Sequence, residues 1–321
     1  MNLTEACQAL DVSRSGYHAH LRKHERPRRR QDAQLAHEIR TAFTASRHTY
    51  GSPRLVHCLR ARGLQHGKNR IARIMREQGL CVRQKRRFVP RTTIADNASP
   101  VAPNHLLNRP APQRPDQVWV TDITYLPTRE GWLYLAAEMD LCSRRILGWS
   151  THDTLATELP NAALERALQA RGSTAKGLLH HSDRGCQYTS AEFRRRLELR
   201  GFTPSMSRRA NCYDNATMES FWATLKAECF GGTIPVTRTQ ARSMVFDYIE
   251  TFYNPVRLHS ALGLQSPVDF ENPSNTTNPT FHVHVFEERS PGLPVSRSPR
   301  PLFSPSSAYR LMWLTGSLQS L

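Results

Sequence analysis

Three acidic residues occur in sequence contexts that could place them at a reaction centre. Asp122 lies in the apolar segment VWVTDITYL, where a charge is unfavourable unless it is paired or metal-bound. Asp183 follows the short apolar segment GLLHHS, and Glu219 lies on a predicted helix whose apolar side faces the core. Carboxylate oxygens on different elements are the ligands that two divalent cations need when they assist phosphoryl transfer.

The separation between Asp183 and Glu219 does not identify them by itself. Thirty-five residues lie between the two. Two other pairs have the same separation: Asp122 with Glu158, and Asp214 with Glu250. Asp214 is typical of a helix cap, and the two other glutamates lie on predicted surface helices. Context therefore favours the first three acids, against the alternative of two surface carboxylates and a capped strand end.

Three further side chains near these acids are candidates for contacts with a substrate. Lys226 follows Glu219 by seven residues, which is two helical turns, so both should point the same way about 10 Å apart. An exposed lysine on an amphipathic helix is the alternative. His181 could contact a metal ion or DNA, or it could pack at the strand end. Asn215, at the predicted helix cap, is a secondary candidate.

The acids belong to a region whose pattern predicts an α/β fold. Alternating and β-branched segments predict strands in QVWVTDITYL, WLYLAAEMDLC, RRILGWSTH, GLLHHS and TPSMS. Helical periodicity is present in ATELPNAALERALQARG, in SAEFRRRLELRG, from Asp214 to Phe230, and at roughly 238–253. This order predicts a mixed sheet in which an antiparallel part precedes βαβ units.

The positive charge of the chain is concentrated in its first third. The whole chain carries 44 Lys and Arg against 27 Asp and Glu. Residues 1–116 hold 23 of the basic and 8 of the acidic side chains, which is +15 of the net +17. Such an asymmetry favours a polyanionic partner over a merely solvated surface.

Short helices in this basic third predict a helix-turn-helix module. One helix begins at Ser52-Pro53, and a second runs from Lys68 with apolar residues inward and with Arg70 and Arg73 outward. These three basic residues are the predicted DNA contacts. The preceding segment RKHERPRRRQ is predicted to be a basic link broken by Pro27.

Composition excludes several classes of protein. The sequence contains no apolar run of about 18 residues, and its N-terminus lacks the order of a signal peptide. The seven cysteines are scattered and never spaced C-x-x-C, which argues against a disulfide framework or a structural zinc site. We therefore expect a cytoplasmic, nucleoid-associated protein that has no contact with a membrane.

These patterns divide the chain into five segments. Residues 1–30 are predicted to be a helix-turn-helix-like segment, and 31–95 a helix-turn-helix DNA-binding domain. A linker at 96–115 precedes the catalytic core at 116–272. Residues 273–321 contain seven of the 21 prolines and no sustained periodicity, so we expect a disordered tail.

Several stretches of the sequence resemble one family of bacterial proteins. They are WVTDITY, HHSDRGCQYTS, SMSRRANCYDNATMESFWATLKAE and YNPVRLHSALGLQSP. All four are similar to signature segments of insertion-sequence transposases of the OrfB type (insertion-sequence family three), whose core is similar to retroviral integrases. TYGSPRLVHCLRARG and GKNRIARIMREQGL resemble the helix-turn-helix segment before that core. Cys186 replaces the usual Ser of these proteins, and Cys142 a common aromatic residue.

The resemblance implies a fold, an activity and partners. The fold would be a ribonuclease-H-like integrase core, a mixed sheet flanked by helices, preceded by an all-α helix-turn-helix region. The chain would be a DDE transposase, which cleaves element ends and joins the freed 3′-OH to another phosphodiester. Asp122, Asp183 and Glu219 would bind two Mg²⁺ or Mn²⁺ ions, and Lys226 would contact the element end. The partners would be inverted-repeat ends, target DNA, further copies of the chain on DNA, and an upstream OrfA product or frameshift fusion.

Two other functions are compatible with parts of these patterns. A ribonuclease H or a Holliday-junction nuclease would also use clustered carboxylates, but it would not need the long basic region. A DNA-binding regulator would explain residues 1–116 and leave the acid within a strand unexplained. Metal-dependent nicking of element ends separates the three functions, because a regulator would bind without cutting.

Overall fold

A computed structural model describes residues 2–23, 27–82, 102–107, 109–172, 177–208 and 215–272, without the side chains of 21–29. The predicted tail at 273–321 lies outside these ranges, as do Asp214 and part of the predicted linker. No helix among the described residues is long and apolar enough to cross a membrane.

The N-terminal region is helical. Its helices are α1 (Leu3–Ala9), α2 (Arg14–Lys23), α3 (Pro27–Ala45), α4 (Ser52–Ala61) and α5 (Lys68–Glu77). The last three pack around buried Ile39, Leu55, Leu59, Ile71 and Ile74. The predicted basic link is wrong at its C-terminal end, because α3 begins at Pro27. Proline is favoured in the first turn of a helix, where its missing N–H would have no partner.

The C-terminal region contains one five-stranded mixed sheet, as predicted. Its strands are β1 (Val118–Thr128), β2 (Gly131–Asp140), β3 (Ile146–His152), β4 (Leu179–Ser182) and β5 (Thr203–Met206). The order is β3-β2-β1-β4-β5, with antiparallel pairing from β1 to β3 and parallel pairing among β1, β4 and β5. The long central strand β1 is thus flanked on both sides.

Helices cover both faces of this sheet. They are α6 (Glu158–Arg171), α7 (Cys186–Thr189), α8 (Ala191–Leu199), α9 (Ala216–Leu225), α10 (Arg238–Phe246) and α11 (Pro267–Glu271). Trp119 of β1 packs in a core with α6 and α8, whereas Val118 and Val120 pack in the core that contains α9 and α10. This alternation follows from the two-residue period of a strand.

Close packing between α6 and β3 depends on a glycine. A Cβ at Gly148 would lie 2.3 Å from the carbonyl oxygen of Ala163 and 2.4 Å from the backbone nitrogen of Ala167. Both obstructing atoms belong to backbone, which cannot move aside as a flexible side chain can. Only glycine therefore allows this helix to lie so close to the sheet.

Two of the C-terminal helices continue as π-helix, which the sequence does not predict. Helix α9 runs into a π-helix at Lys226–Phe230, and α10 into another at Asp247–Tyr253. A π-turn shifts the register of the following side chains, and such turns are frequent at functional sites.

The N-terminal helices pack against the C-terminal region through a few specific contacts. The fully buried Tyr50 hydroxyl accepts a hydrogen bond from the N–H of Leu258 (2.7 Å) and donates one to the carbonyl of Val256 (3.2 Å). Arg47 donates to Asp247 (3.1 Å) and to Thr251 (2.7 Å). One continuous apolar core joins the two regions.

Candidate active site

Asp122 lies half-buried on the central strand β1, on the face covered by α9. Its carboxylate accepts a hydrogen bond from the N–H of Ile123 (2.8 Å) and another from the indole N–H of Trp222 on α9 (3.0 Å). Burial, and next the negative charge of Asp183, raise the pKa of Asp122 to about 7. The side chain is therefore held in place but is poorly compensated when it is ionised.

Asp183 lies immediately after β4, next to Asp122 in the sheet. Val120 of β1 pairs in parallel with His181 of β4, and each Asp follows that pair by two residues. The N–H of Gly185 donates to the Asp183 carboxylate (2.9 Å), while burial raises the pKa of this carboxyl. The parallel pairing of β1 with β4 thus brings the two acids together at the carboxyl end of β4.

Glu219 is exposed in the first turn of α9. Met218 and Trp222 are buried on the adjoining side of this helix, as predicted from its apolar stripe. Partial burial raises the pKa of Glu219, and its charge in turn contributes to the raised pKa of Asp122. Glu219 thus lies within electrostatic reach of the sheet carboxylates, on the open side of the site.

Lys226 is half-buried at the start of the first π-helix. Burial lowers the pKa of its ammonium group, while the nearby negative charge of Asp122 acts in the opposite direction. The structure therefore places a cation beside the carboxylates, where a phosphate oxygen could be bound.

The donor set fits hard divalent cations. Oxygen ligands are preferred by Mg²⁺ and Mn²⁺, and a cation between Asp122 and Asp183 would relieve the repulsion that raises the pKa of Asp122. Within the described ranges, no three His, Cys, Asp or Glu side chains lie close enough together to hold a metal ion as they stand. The two sheet aspartates are therefore the preformed part of the site, and Glu219 would have to approach them.

The two histidines before Asp183 are part of the packing. His181 is fully buried, with one ring nitrogen 2.9 Å from the hydroxyl of Ser205 and the other 3.1 Å from that of Ser207. His180 is buried 3.0 Å from Glu138 on β2. Of the two roles considered for His181, the structure supports strand-end packing, because both ring nitrogens are occupied.

Asn215 precedes α9 and connects it to the sheet. Its buried side-chain amide donates to the carbonyl of Thr121, next to Asp122 (3.3 Å). It makes no side-chain capping bond to α9. The side chain of Asn215 thus joins the start of the helix that carries Glu219 to strand β1.

Two residues near the acids were missed by sequence reasoning. Trp222 appeared only as part of an apolar stripe, yet its indole N–H binds Asp122. The hydroxyl of Tyr188 lies 3.2 Å from that of Thr121, and burial next to Asp122 and Asp183 raises its pKa. Neither contact has a local sequence signal, because both join distant segments.

The predicted DNA contacts on α5 differ in their surroundings. Lys68 is exposed. Arg70 and Arg73 are half-buried, and each binds Asp32 of α3 at 2.6 Å. Arg73 also pairs with Glu77. The two arginines therefore do not point freely outward as expected, because an acid from the neighbouring helix holds them. Their role in DNA binding stays a prediction.

The glutamates of the other two equally separated pairs, Glu158 and Glu250, are not among the acids that raise the pKa of Asp122, and Asp214 lies outside the described residues. Glu158 is exposed in the first turn of α6. Glu250 is exposed on the second π-helix, where it accepts a hydrogen bond from the indole of Trp149 (2.8 Å).

Comparison with known proteins assigns both regions of the chain. Models of an integrase core domain match residues 112–212 and 200–267, and a model of an HTH-like domain matches residues 29–88. The chain is 44% identical to the 31 kDa protein of insertion element IS600 from Shigella sonnei, over 82% of this chain and 96% of that protein. It is 40% identical to the transposase InsF of insertion sequence IS3A from Escherichia coli K12, over 83% and 92% respectively.

Solved structures with a similar backbone include the integrase catalytic core domain of HTLV-2 in complex with magnesium. That structure has a TM-score of 0.35 and 14% identity, and the match covers 50% of this chain and 97% of the integrase chain.

Proposed function

The chain belongs to the IS3 family of insertion-sequence transposases, and from this premise we propose that Asp122, Asp183 and Glu219 are its catalytic carboxylates. Membership makes the protein an enzyme of DNA transposition and integration, a polynucleotidyl transferase whose partner is DNA. Our proposal concerns the residues and the chemistry by which it acts.

The observation that carries the proposal is the adjacency of two sheet carboxylates whose ionisation is unfavourable without a cation. Asp122 and Asp183 follow paired residues of the parallel strands β1 and β4, and burial raises the pKa of both. Acids whose pKa values are perturbed by burial and by a neighbouring charge cluster at functional sites. Glu219, which is exposed, and Lys226, which is half-buried, complete the proposed group of charged residues.

Each residue would have a distinct task. Asp122, oriented by Trp222 and Ile123, and Asp183, oriented by Gly185, would bind Mg²⁺ or Mn²⁺ through oxygen atoms, and Glu219 would complete the set. Two such cations, when bound, activate the attacking oxygen and stabilise the leaving oxygen of a phosphodiester.

Lys226 would hold a phosphate of the DNA beside the carboxylates, which fixes the scissile strand against the site. The reaction would consist of strand cleavage at an element end, followed by attack of the freed 3′-OH on target DNA.

Substitution of the three carboxylates tests the proposal. Asp122→Asn, Asp183→Asn and Glu219→Gln should each abolish Mg²⁺-dependent nicking and strand transfer of a labelled element end while binding of that end persists. Glu158→Gln and Glu250→Gln are matched controls, because they remove carboxylates with the same sequence separation outside the site. Cleavage retained by any of the first three variants would remove that residue from the proposed set.

The five segment limits, which the sequence patterns predict, stay predictions. Oligomerisation on DNA and a partner encoded upstream, which the resemblance implies, also stay predictions.

A further inference from the structure

Glu228 is a nearly buried carboxylate two residues beyond Lys226, outside the catalytic set. It lies on the π-helix that continues α9. Its two oxygens accept hydrogen bonds from the guanidinium of Arg257, each of 2.7 Å, and one of them also accepts from the hydroxyl of Tyr248 (2.8 Å). Only 12% of the Glu228 side chain and 6% of the Arg257 side chain are exposed.

The segment that carries Arg257 is itself fixed on both sides. Tyr50, between α3 and α4, binds the carbonyl of Val256 and the N–H of Leu258, the two neighbours of Arg257. Tyr253 packs its ring against Phe221 of α9, with ring centroids 4.9 Å apart. The backbone on either side of Arg257 is therefore anchored by contacts that do not involve Glu228.

Lys226 and Glu228 lie on the same π-helix. The α-helical register of α9 ends at Leu225, and Lys226 is the first residue of the π-turn. The direction of the Lys226 side chain thus depends on where the π-turn is held, and the charge-assisted hydrogen bonds of Glu228 hold that turn.

We propose that Glu228, clamped by Arg257 and Tyr248, is a positioning residue that orients Lys226 toward the DNA at the catalytic carboxylates. The inference rests on the proposed function, since it assigns Lys226 to the reaction. It extends that function to a residue whose hydrogen bonds run to Arg257 and Tyr248 and not to the proposed carboxylates. A bidentate Arg–carboxylate pair suits this task, because its two hydrogen bonds fix the orientation of the carboxylate as well as its distance from the guanidinium.

Glu228→Gln tests the inference, and Glu271→Gln is its matched control. Glu271 is also nearly buried, accepts hydrogen bonds from Arg171 and Arg145 and one from a serine hydroxyl, and lies at the opposite end of the sheet. Both substitutions leave an arginine short of its partner, so both should lower the melting temperature.

Only Glu228→Gln should impair catalysis. We expect kcat/KM for nicking of a labelled element end to fall by up to about 100-fold, the effect typical of a misplaced reacting group. Glu271→Gln should stay within about twofold of the parent enzyme once both are assayed well below their melting temperatures.

A double-mutant cycle with Lys226→Ala separates positioning from general destabilisation. If Glu228 acts through Lys226, Glu228→Gln should add little to the loss already caused by Lys226→Ala. If the two losses multiply, the inference is wrong. It is also wrong if Glu228→Gln lowers the melting temperature but leaves kcat/KM unchanged.

If Glu228→Gln does not fold, Tyr248→Phe tests the role of Glu228 in its place. It removes one hydrogen bond to Glu228 and keeps the ring, so a smaller loss of kcat/KM, again absent in the Lys226→Ala background, is expected. The parent enzyme distinguishes the two proposals. Absence of metal-dependent nicking by the parent contradicts the proposed function, whereas an active parent with multiplicative losses contradicts only the role of Glu228.

Discussion

Removal of a single indole N–H should weaken metal binding at the candidate site. Trp222 donates a hydrogen bond of 3.0 Å to the carboxylate of Asp122. Trp222→Phe keeps an aromatic ring in the core and deletes the donor. Since the N–H stabilises the ionised carboxylate, its loss should raise the pKa of Asp122 further above the present value of about 7.

The size of the effect follows from that bond. A hydrogen bond to a charged group contributes about 1.5–3 kcal/mol, and about 1.4 kcal/mol corresponds to a factor of ten. A carboxylate must lose its proton before it binds a metal ion. The Mg²⁺ concentration for half-maximal nicking should therefore rise about tenfold or more at pH 6.5. The difference should shrink by pH 8.5, where Asp122 of the parent is largely ionised and a larger fraction of Asp122 in the variant has lost its proton than at pH 6.5.

Trp119→Phe is the matched control for this experiment. Trp119 is also buried and also donates its indole N–H to an aspartate, Asp116 (3.0 Å), but it packs on the opposite face of the sheet. Its substitution should lower the melting temperature without shifting the Mg²⁺ midpoint. An unchanged midpoint in Trp222→Phe at pH 6.5, or an equal shift in Trp119→Phe, would refute the reasoning.

Two further predictions concern charge. Because the pKa of Asp122 is about 7 in the folded chain against 3.8 for an exposed carboxyl, the folded chain retains a proton that the unfolded chain has lost. The stability that this proton gives is present below pH 4 and is lost as the pH rises to about 7. Asp122→Asn should thus gain stability over the parent by up to about 4 kcal/mol between pH 4 and pH 8. The melting temperature of Asp122→Asn should also no longer rise when Mg²⁺ is added. If denaturant titrations gave the parent and the variant parallel curves of stability against pH, the predicted gain in stability would be wrong. Asp32→Asn should release Arg70 and Arg73, so end-DNA affinity should increase and fall more steeply with salt. A lower melting temperature with unchanged affinity would instead assign these arginines to packing.

The sequence alone determined the elements that have a strong local pattern. The alternation of VWVTDITYL predicted β1, and the apolar segment before Asp183 predicted β4. The order of strands and helices then predicted the mixed sheet, since few connections are physically accessible. The choice of Asp122 and Asp183 also followed from local context, because a charge within or after an apolar strand requires a partner.

Tertiary structure alone decided how the side chains are held. The bond from Trp222 to Asp122 spans 100 residues, that from Arg70 to Asp32 spans 38, and that from Arg257 to Glu228 spans 29. No periodic pattern of apolar and polar residues in the sequence indicates such pairs, because each pair is set by the packing of whole elements. The π-turn after α9 is likewise set by the packing of whole elements. Periodic apolar positions predict that a helix forms, but they do not predict a local change in the number of residues per turn. A local pattern encodes which face of an element is buried, whereas the partner of a buried polar group is fixed only when two elements meet.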